Sequence, residues 1–520
     1  MNQAAVALKH CFLKLFAFIL IVVAGPLQAQ SEPKESGSKV ERQAQRQENQ
    51  RRPKRDLAMV QQPADVAALN ELSVILGRPT AEKVTANVLA KEPLECFIEY
   101  GTQTEVLNQR TPNAKLNANI PVELELSRLI AGTQYFYRLR FRKSGELSFA
   151  AGAQFQFHTQ RKPGQTFTFE IQGDSHPERP QQFDPALYAQ TLRAAAKDRP
   201  DFYMTIGDDF SVDTLDNVTA QTVSQRYLLQ RPYLALVGQT APLFLVNGNH
   251  EQAAGVNLDG SPENVAVWAQ RARNSYYSLP ATDNFYSGND KEVEHIGLLR
   301  DYYGWTWGDA LFLVIDPYWH SKSAVDNVFG KRDKGDRNLM NATQGFRDMW
   351  NITLGDKQYQ WFKKELESSK ARYKFVFAHH VLGTGRGGVE QAQLFEWGGK
   401  DKRGEDSFVA HRPGWDLPIH QLMVKHGVTA FFQGHDHVFA YQELDGVVYQ
   451  TLPQPADPNY ALNYSDAYRS GKIIPSSGRV RVTVGTEKVA VEYVRSYLQS
   501  DSPNSSPTNE GSYSYQILGK

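Results

Sequence analysis

Between about Arg78 and Thr159 apolar and polar residues alternate with a period of two. The runs 84–90, 94–100, 120–126, 134–141 and 155–159 are each bounded by Gly, Pro or Asn turns and predict the short strands of a β-sandwich. After Pro163-Gly164 the texture changes. Residues 167–171, 202–206, 243–246, 374–378 and 430–433 read as buried strands, and amphipathic helical stretches lie at 185–197, 356–370 and 417–425. This pattern predicts an α/β domain over 165–497, with 479–494 as closing strands.

The ends of the chain read differently. Lys9, His10 and Lys14 precede the apolar run 15–24, and Ala29 offers a small-residue cleavage site, so 1–29 is expected to be a secretory signal peptide. The run is shorter than the ~20 apolar residues of a spanning helix, so no transmembrane span is expected after its removal. The expected location is secreted or periplasmic. The stretch 30–77 opens with Glu, Gln, Lys, Arg and Ser and is assigned to a disordered charged linker, and 498–520 to a flexible tail.

At 520 residues the chain exceeds what one core sustains, in keeping with two domains, 78–160 and 165–497. Lys plus Arg equals Asp plus Glu at 57 each, which removes the electrostatic footprint of a nucleic-acid polymer partner. Only Cys11 and Cys96 occur. With Cys11 in the signal, Cys96 is left alone and is read as a buried apolar residue.

Five segments end strand-like runs with metal-binding residues: Gly-Asp-Ser-His at 173–176, Gly-Asp-Asp at 207–209, Gly-Asn-His-Glu at 248–251, His-His at 379–380 and Gly-His-Asp-His at 434–437. Turns just beyond strands hold side chains fixed while leaving coordination positions open, and α/β sites gather at the carboxyl ends of strands. Asp174 and His176, two residues apart, can reach one ion. Asp208 can bridge two ions through its two oxygens, Asn249 offers a carbonyl oxygen, and His379, His435 and His437 offer imidazole nitrogens. Mixed oxygen and nitrogen donors suit two divalent or transition metal ions, Fe, Mn or Zn.

These motifs, in this order over roughly 165–497, resemble the calcineurin-like metallophosphoesterase superfamily, which includes the purple acid phosphatases. The resemblance implies a four-layer α-β-β-α sandwich preceded by an all-β, fibronectin type III-like sandwich, and 129–137 is similar to the tyrosine corner of that module. It assigns Asp174, His176, Asp208 and His437 to one metal and Asp208, Asn249, His379 and His435 to the other. The hairpin 303–316 is similar to the superfamily's mid-domain strand pair. The chain departs from purple acid phosphatases in carrying His176 where they have Gly, and Ser211 where they have a metal-binding Tyr. That exchange predicts a colourless or weakly coloured enzyme.

The chemistry expected of such a centre is phosphate-ester hydrolysis. Two ions ~3.5–4 Å apart acidify a shared water, and the resulting bridging hydroxide attacks phosphorus in line with the leaving oxygen. By the resemblance His250 protonates or hydrogen-bonds the leaving group, with Glu251 or Asp209 as its expected orienting partner. Asn249, Arg386 and His380 are expected to face the substrate, and His411, Arg412 and His420 are weaker candidates. Trp305, Trp307, Trp397 and Trp415 are expected to pack in the core. The expected substrate is a small phosphate monoester. Two alternatives stand beside it: a phosphodiesterase acting on nucleotide or lipid-headgroup diesters with the same site, and a non-catalytic surface binding protein.

Overall fold

In a computed structural model the described residues are 61–325, 348–382, 385–498 and 511–519. The expected signal peptide and the first part of the expected linker lie outside them. Within them two large sheets stack face to face, because their strands alternate sides. On one sheet Phe167, Phe169 and Ile171 of β7 (Phe167–Gln172) and Phe202 and Met204 of β8 (Phe202–Thr205) point inward. They meet Phe312 of β11 (Ala310–Val314), Phe375 and Phe377 of β12 (Tyr373–Phe377) and Phe432 of β13 (Ala430–Gln433) on the other. Trp305 and Trp307 of β10 (Tyr303–Trp307) close this aromatic core.

The intervening residues face outward onto helices. Tyr203, Leu243 and Leu245 pack against α2 (Pro185–Asp198), α3 (Ala220–Gly238) and α4 (Val265–Tyr276). Leu311, Leu313, Val376 and Phe431 pack against α5 (Gly355–Ser368) and α6 (Ile419–Lys425). The result is the expected four-layer α-β-β-α order. Helix α2 begins where Asp184 accepts the backbone N–H groups of Ala186 and Leu187 at 2.9 and 3.0 Å, with Pro185 in its first turn. No helix among the described residues is long and apolar enough to cross a membrane.

The all-β region comprises β1 (Leu72–Gly77), β2 (Val84–Ala90), β3 (Leu94–Gly101), β4 (Val122–Leu126), β5 (Gln134–Lys143) and β6 (Ala150–His158), with shorter pieces between. Its core holds Val74, Val88, Ile98, Leu126 and Tyr137, together with Cys96, whose thiol burial pushes up to about 12. The Tyr135 hydroxyl accepts from the Ile130 backbone N–H at 3.1 Å. β1 also bridges to β9 (Leu243–Leu245) at Gly77 and Leu243, which makes β1, β2 and β4 an extension of the first large sheet. Buried Arg231 of α3 ties the two parts, donating to Ser73 Oγ at 3.2 Å and to the Asn87 carbonyl at 2.9 Å.

Two sequence expectations are corrected. Residues 64–77, assigned to the linker, form α1 (Ala64–Glu71) and β1, because Val66, Val74, Ile75 and Leu76 are apolar enough to be buried. The end of the chain, assigned to a flexible tail, contains the edge strand β18 (Gly511–Leu518), which pairs antiparallel with β17 (Lys488–Arg495). There Tyr513, Tyr515 and Ile517 pack at the margin of the inter-sheet core, and Tyr515 donates to Gln450 Oε1 at 2.9 Å.

Candidate metal centre

Strands β7, β8 and β9 run parallel in one sheet, and β11, β12 and β13 run parallel in the other. Each of the five motifs occupies the turn after one of these strands, and the turns approach closely enough that two glycines are sterically required. A Cβ on Gly248 would lie 2.2 Å from the Asp208 backbone nitrogen, and one on Gly434 would lie 2.6 Å from Asp174 Oδ1. The side chains then converge. His379 Nε2 is 3.0 Å from Asp208 Oδ2 and 3.9 Å from Asp174 Oδ2, His437 Nε2 is 3.0 Å from Asp174 Oδ2, and His435 Nδ1 is 3.3 Å from His379 Nε2.

Backbone groups fix these side chains from behind. Asp174 Oδ1 accepts the His435 N–H, and Asp208 Oδ1 accepts the His250 N–H, both at 2.8 Å, which leaves each Oδ2 facing the cluster. His379 Nδ1 lies 2.9 Å from the Ile206 carbonyl, which accepts its N–H and turns Nε2 toward the carboxylates. His176 Nε2 is buried and has no hydrogen-bond partner among the described residues. Burial, then the charges of Arg179 and His250, holds the His176 imidazole well below its usual pKa, so it is neutral and able to ligate. For Asp174, burial is outweighed by His437 and His379, which keep the carboxyl down to about 2.

Three-donor groups suited to a metal ion form from Asp174, His176 and His437, from Asp174, Asp208 and His379, and from His379, His380 and His435. Ionised carboxylates, neutral imidazole and a buried nitrogen with no protein partner fit divalent or transition metals.

The calcineurin-like phosphoesterase family model matches residues 168–439. The chain belongs to the calcineurin-like phosphoesterase family. It is a metal-dependent phosphoric ester hydrolase. The fold is similar to that of PhoD, with 15% identity over 86% of this chain and 90% of that one and a TM-score of 0.58. It is also similar to the purple acid phosphatase PPD1 from yellow lupin (Lupinus luteus) seeds, with 16% identity over 86% and 74% of the two chains and a TM-score of 0.55. No curated protein matches the sequence.

Around the phosphoesterase centre, the orienting partner of His250 differs from expectation. Its Nδ1 lies 2.8 Å from Asp213 Oδ1, not beside Glu251 or Asp209. Glu251 folds back under the loops and accepts the backbone N–H groups of Asp209 and Gly248 at 2.8 and 2.9 Å. Asp209 accepts the Thr205 hydroxyl at 2.8 Å, and burial pushes its carboxyl up to about 7. Sequence reading missed Asp213, and it also missed Arg179. That residue's Nη2 lies 3.1 Å from His250 Nε2 and donates to Ser211 Oγ at 2.5 Å.

The other candidates divide between the centre and its surroundings. Asn249 is buried on the same turn as His250. His380 stacks on His435, with ring centroids 4.7 Å apart, and its Nδ1 is 3.2 Å from the Tyr318 hydroxyl. Arg386 donates to the His435 carbonyl, reaches Asp436 Oδ1 at 3.1 Å and lies over the Tyr464 ring. Buried Asp436 also accepts from Tyr468 at 2.7 Å and from the Gly387 N–H at 2.8 Å.

His420 is buried between Tyr449 and Asp445. His411 stacks on Trp350 and Arg412 pairs with Glu396, and both line a separate cavity of about 520 Å³. The stretch 252–300 contributes α4, whose Arg273 donates to Asn247 Oδ1 at 2.6 Å and to the Leu245 carbonyl at 2.5 Å, bracing the third motif from behind.

Proposed function

We propose that the chain is an exported phosphomonoesterase with a dinuclear centre, in which 165–497 carries the catalysis and 78–160 is a fibronectin type III-like module. The observation that carries this reading is the approach, across two sheets, of His379 to Asp208 and Asp174 at 3.0 and 3.9 Å and of His437 to Asp174 at 3.0 Å. Asp174, His176, Asp208 and His437 would hold one ion, and Asp208, Asn249, His379 and His435 the second. Two bound ions, Fe, Mn or Zn, supply Lewis acidity that acidifies water and neutralises phosphoryl charge.

The chain's own groups do the rest. Asp208, fixed at Oδ1 by the His250 backbone N–H, keeps Oδ2 toward the centre, 3.0 Å from His379 Nε2. Asp213 accepts a hydrogen bond from His250 Nδ1–H and so orients Nε2 toward the place of the leaving oxygen, which Nε2 hydrogen-bonds or protonates when it carries a proton. Helix α4 and Glu251 keep the loops from shifting, which matters because small misplacements of a catalytic group cost large factors in rate. The apolar run at 15–24, followed by Ala29, supports export.

The test compares initial rates on an aryl phosphate monoester and the matching aryl diester after reconstitution with Mn, Fe or Zn, with bound metal measured alongside. A higher kcat/KM on the monoester and two ions per chain are expected. A diester preference, or one ion at full activity, would overturn the respective part of the reading.

A further inference from the structure

The guanidinium of Arg179 stands at the centre with no part yet assigned to it. It lies between Ser211 Oγ and His250 Nε2, and His250 Nε2 is in turn 3.8 Å from Asp208 Oδ2. The arginine is therefore two short contacts from a carboxylate of the centre, within the reach of one phosphoryl group. Its base is anchored: Nε is 3.4 Å from Glu178 Oε1, and the buried Glu178 carboxylate accepts the Ser211 backbone N–H at 3.0 Å. The arginine side chain itself is one-quarter exposed, so solvent reaches it.

Its hydrogen bonds are of the replaceable kind. With Nδ1–H of His250 donating to Asp213, Nε2 is the acceptor and Arg179 the donor. The second partner is a neutral hydroxyl. A charged phosphoryl oxygen is a better acceptor than either, since hydrogen bonds from a guanidinium to an anion are roughly twice as strong as neutral ones.

From this geometry we infer that Arg179 is the residue that selects monoesters, by binding the non-bridging oxygen that a diester lacks. This rests on the phosphoesterase reading of the same centre. A monoester presents three non-bridging oxygens and up to two charges, whereas a diester presents two oxygens and one charge. In a diester the third position carries the second ester substituent, which has no charge to offer a guanidinium.

The experiment uses the full-length, metal-reconstituted protein and the variants Arg179→Ala and Arg179→Lys, assayed on the aryl monoester and diester and for inhibition by inorganic phosphate. Arg179→Ala is expected to lower kcat/KM on the monoester by about 10²–10³, the usual loss for one donor to a transition-state oxyanion, and on the diester by less than about 5-fold. Phosphate inhibition is expected to weaken by about 10-fold or more. Arg179→Lys is expected to regain part of the monoester rate, because it keeps the charge but not the planar fork.

Equal losses on both esters, or unchanged phosphate inhibition, would overturn the inference while leaving the phosphoesterase reading intact. A wild type inactive on both esters would overturn that reading and this inference with it. If Arg179→Ala fails to fold by its thermal melt, Arg179→Lys decides: a lysine variant with an unchanged monoester-to-diester ratio and unchanged phosphate inhibition overturns the inference.

Discussion

Arg479 and Glu170 offer a sharp test of how the first catalytic sheet is held in register. Both are fully buried, their Nε and Oε2 are 2.6 Å apart, and they join β7, which leads into Asp174, to β16 (Gly478–Val484). Burial pushes the Glu170 carboxyl up from 4.5 to about 7, against the pull of Arg479. The sign follows from linkage. A carboxyl with a raised folded pKa leaves stability highest below about 4.5, lets it fall as the pH rises to about 7, and adds no slope above that. Arg479→Met removes the opposing charge and lifts the folded pKa further.

The variant therefore keeps losing stability above pH 7, where the wild type does not, by about 1.4 kcal/mol per pH unit. By pH 9 the deficit reaches about 3 kcal/mol, within the ~3–5 kcal/mol range for breaking a buried pair from one side. Arg481→Met is expected to leave the pH slope close to that of the wild type, because Arg479 stays in place at 2.6 Å from Glu170 Oε2. Urea midpoints read by tryptophan emission, with Trp305 and Trp307 in the inter-sheet core, give the assay across pH 6 to 9. The double variant Glu170→Gln with Arg479→Met should lose the slope. A deficit for Arg479→Met that is the same at pH 7 and pH 9 would refute the reasoning.

Asp213→Asn keeps an oxygen for His250 Nδ1 but removes its charge, so kcat on esters with poor leaving groups should fall about 10–100-fold. A leaving-group series checks this, and a loss independent of leaving-group pKa would count against it. Gly248→Ala drives a Cβ into the Asp208 backbone and carboxylate, and the purified variant should lose bound metal by elemental analysis while the far-ultraviolet spectrum stays native. Arg386→Ala removes the donor to the His435 carbonyl and the Asp436 pair, so metal affinity should drop about 10–100-fold with KM for substrate unchanged at saturating metal. A raised KM instead would return Arg386 to the substrate-facing role read from the sequence.

Much of this arrangement is legible in the sequence because strand and motif coincide: each ligand turn begins where an apolar run stops, and the runs 167–171, 374–378 and 430–433 read as the buried strands that β7, β12 and β13 are. What was not legible depends on side-chain direction across loops. Asp213 lies 37 residues before His250 and Arg179 lies 71 before it, and no period or spacing brings such positions together. Glu251, adjacent in sequence, turns its carboxylate to backbone N–H groups that only the folded loops expose. β18 was hidden by the Ser, Asn and Pro residues leading into it, although Tyr513, Tyr515 and Ile517 alternate as an edge strand should.

The backbone at the centre explains why such short motifs carry so much information. His176, Asp208, His435 and His437 all have left-handed φ, at 46°, 53°, 69° and 57°. Each such residue costs about 1–3 kcal/mol and persists only where its surroundings over-determine it. Here the surroundings are two stacked sheets whose shared core is almost entirely aromatic and β-branched. Asp and His are enriched among the non-glycine residues that adopt this region, and they also furnish the carboxylate and imidazole donors. The fold and the chemistry therefore choose the same residue types at the same turns. Where Gly248 and Gly434 stand, the neighbouring turn comes too close for any side chain. A Gly-Asp or Gly-His pair after a strand is thus a statement about backbone geometry before it is one about metal, which is why the three such pairs among the five motifs converge so tightly.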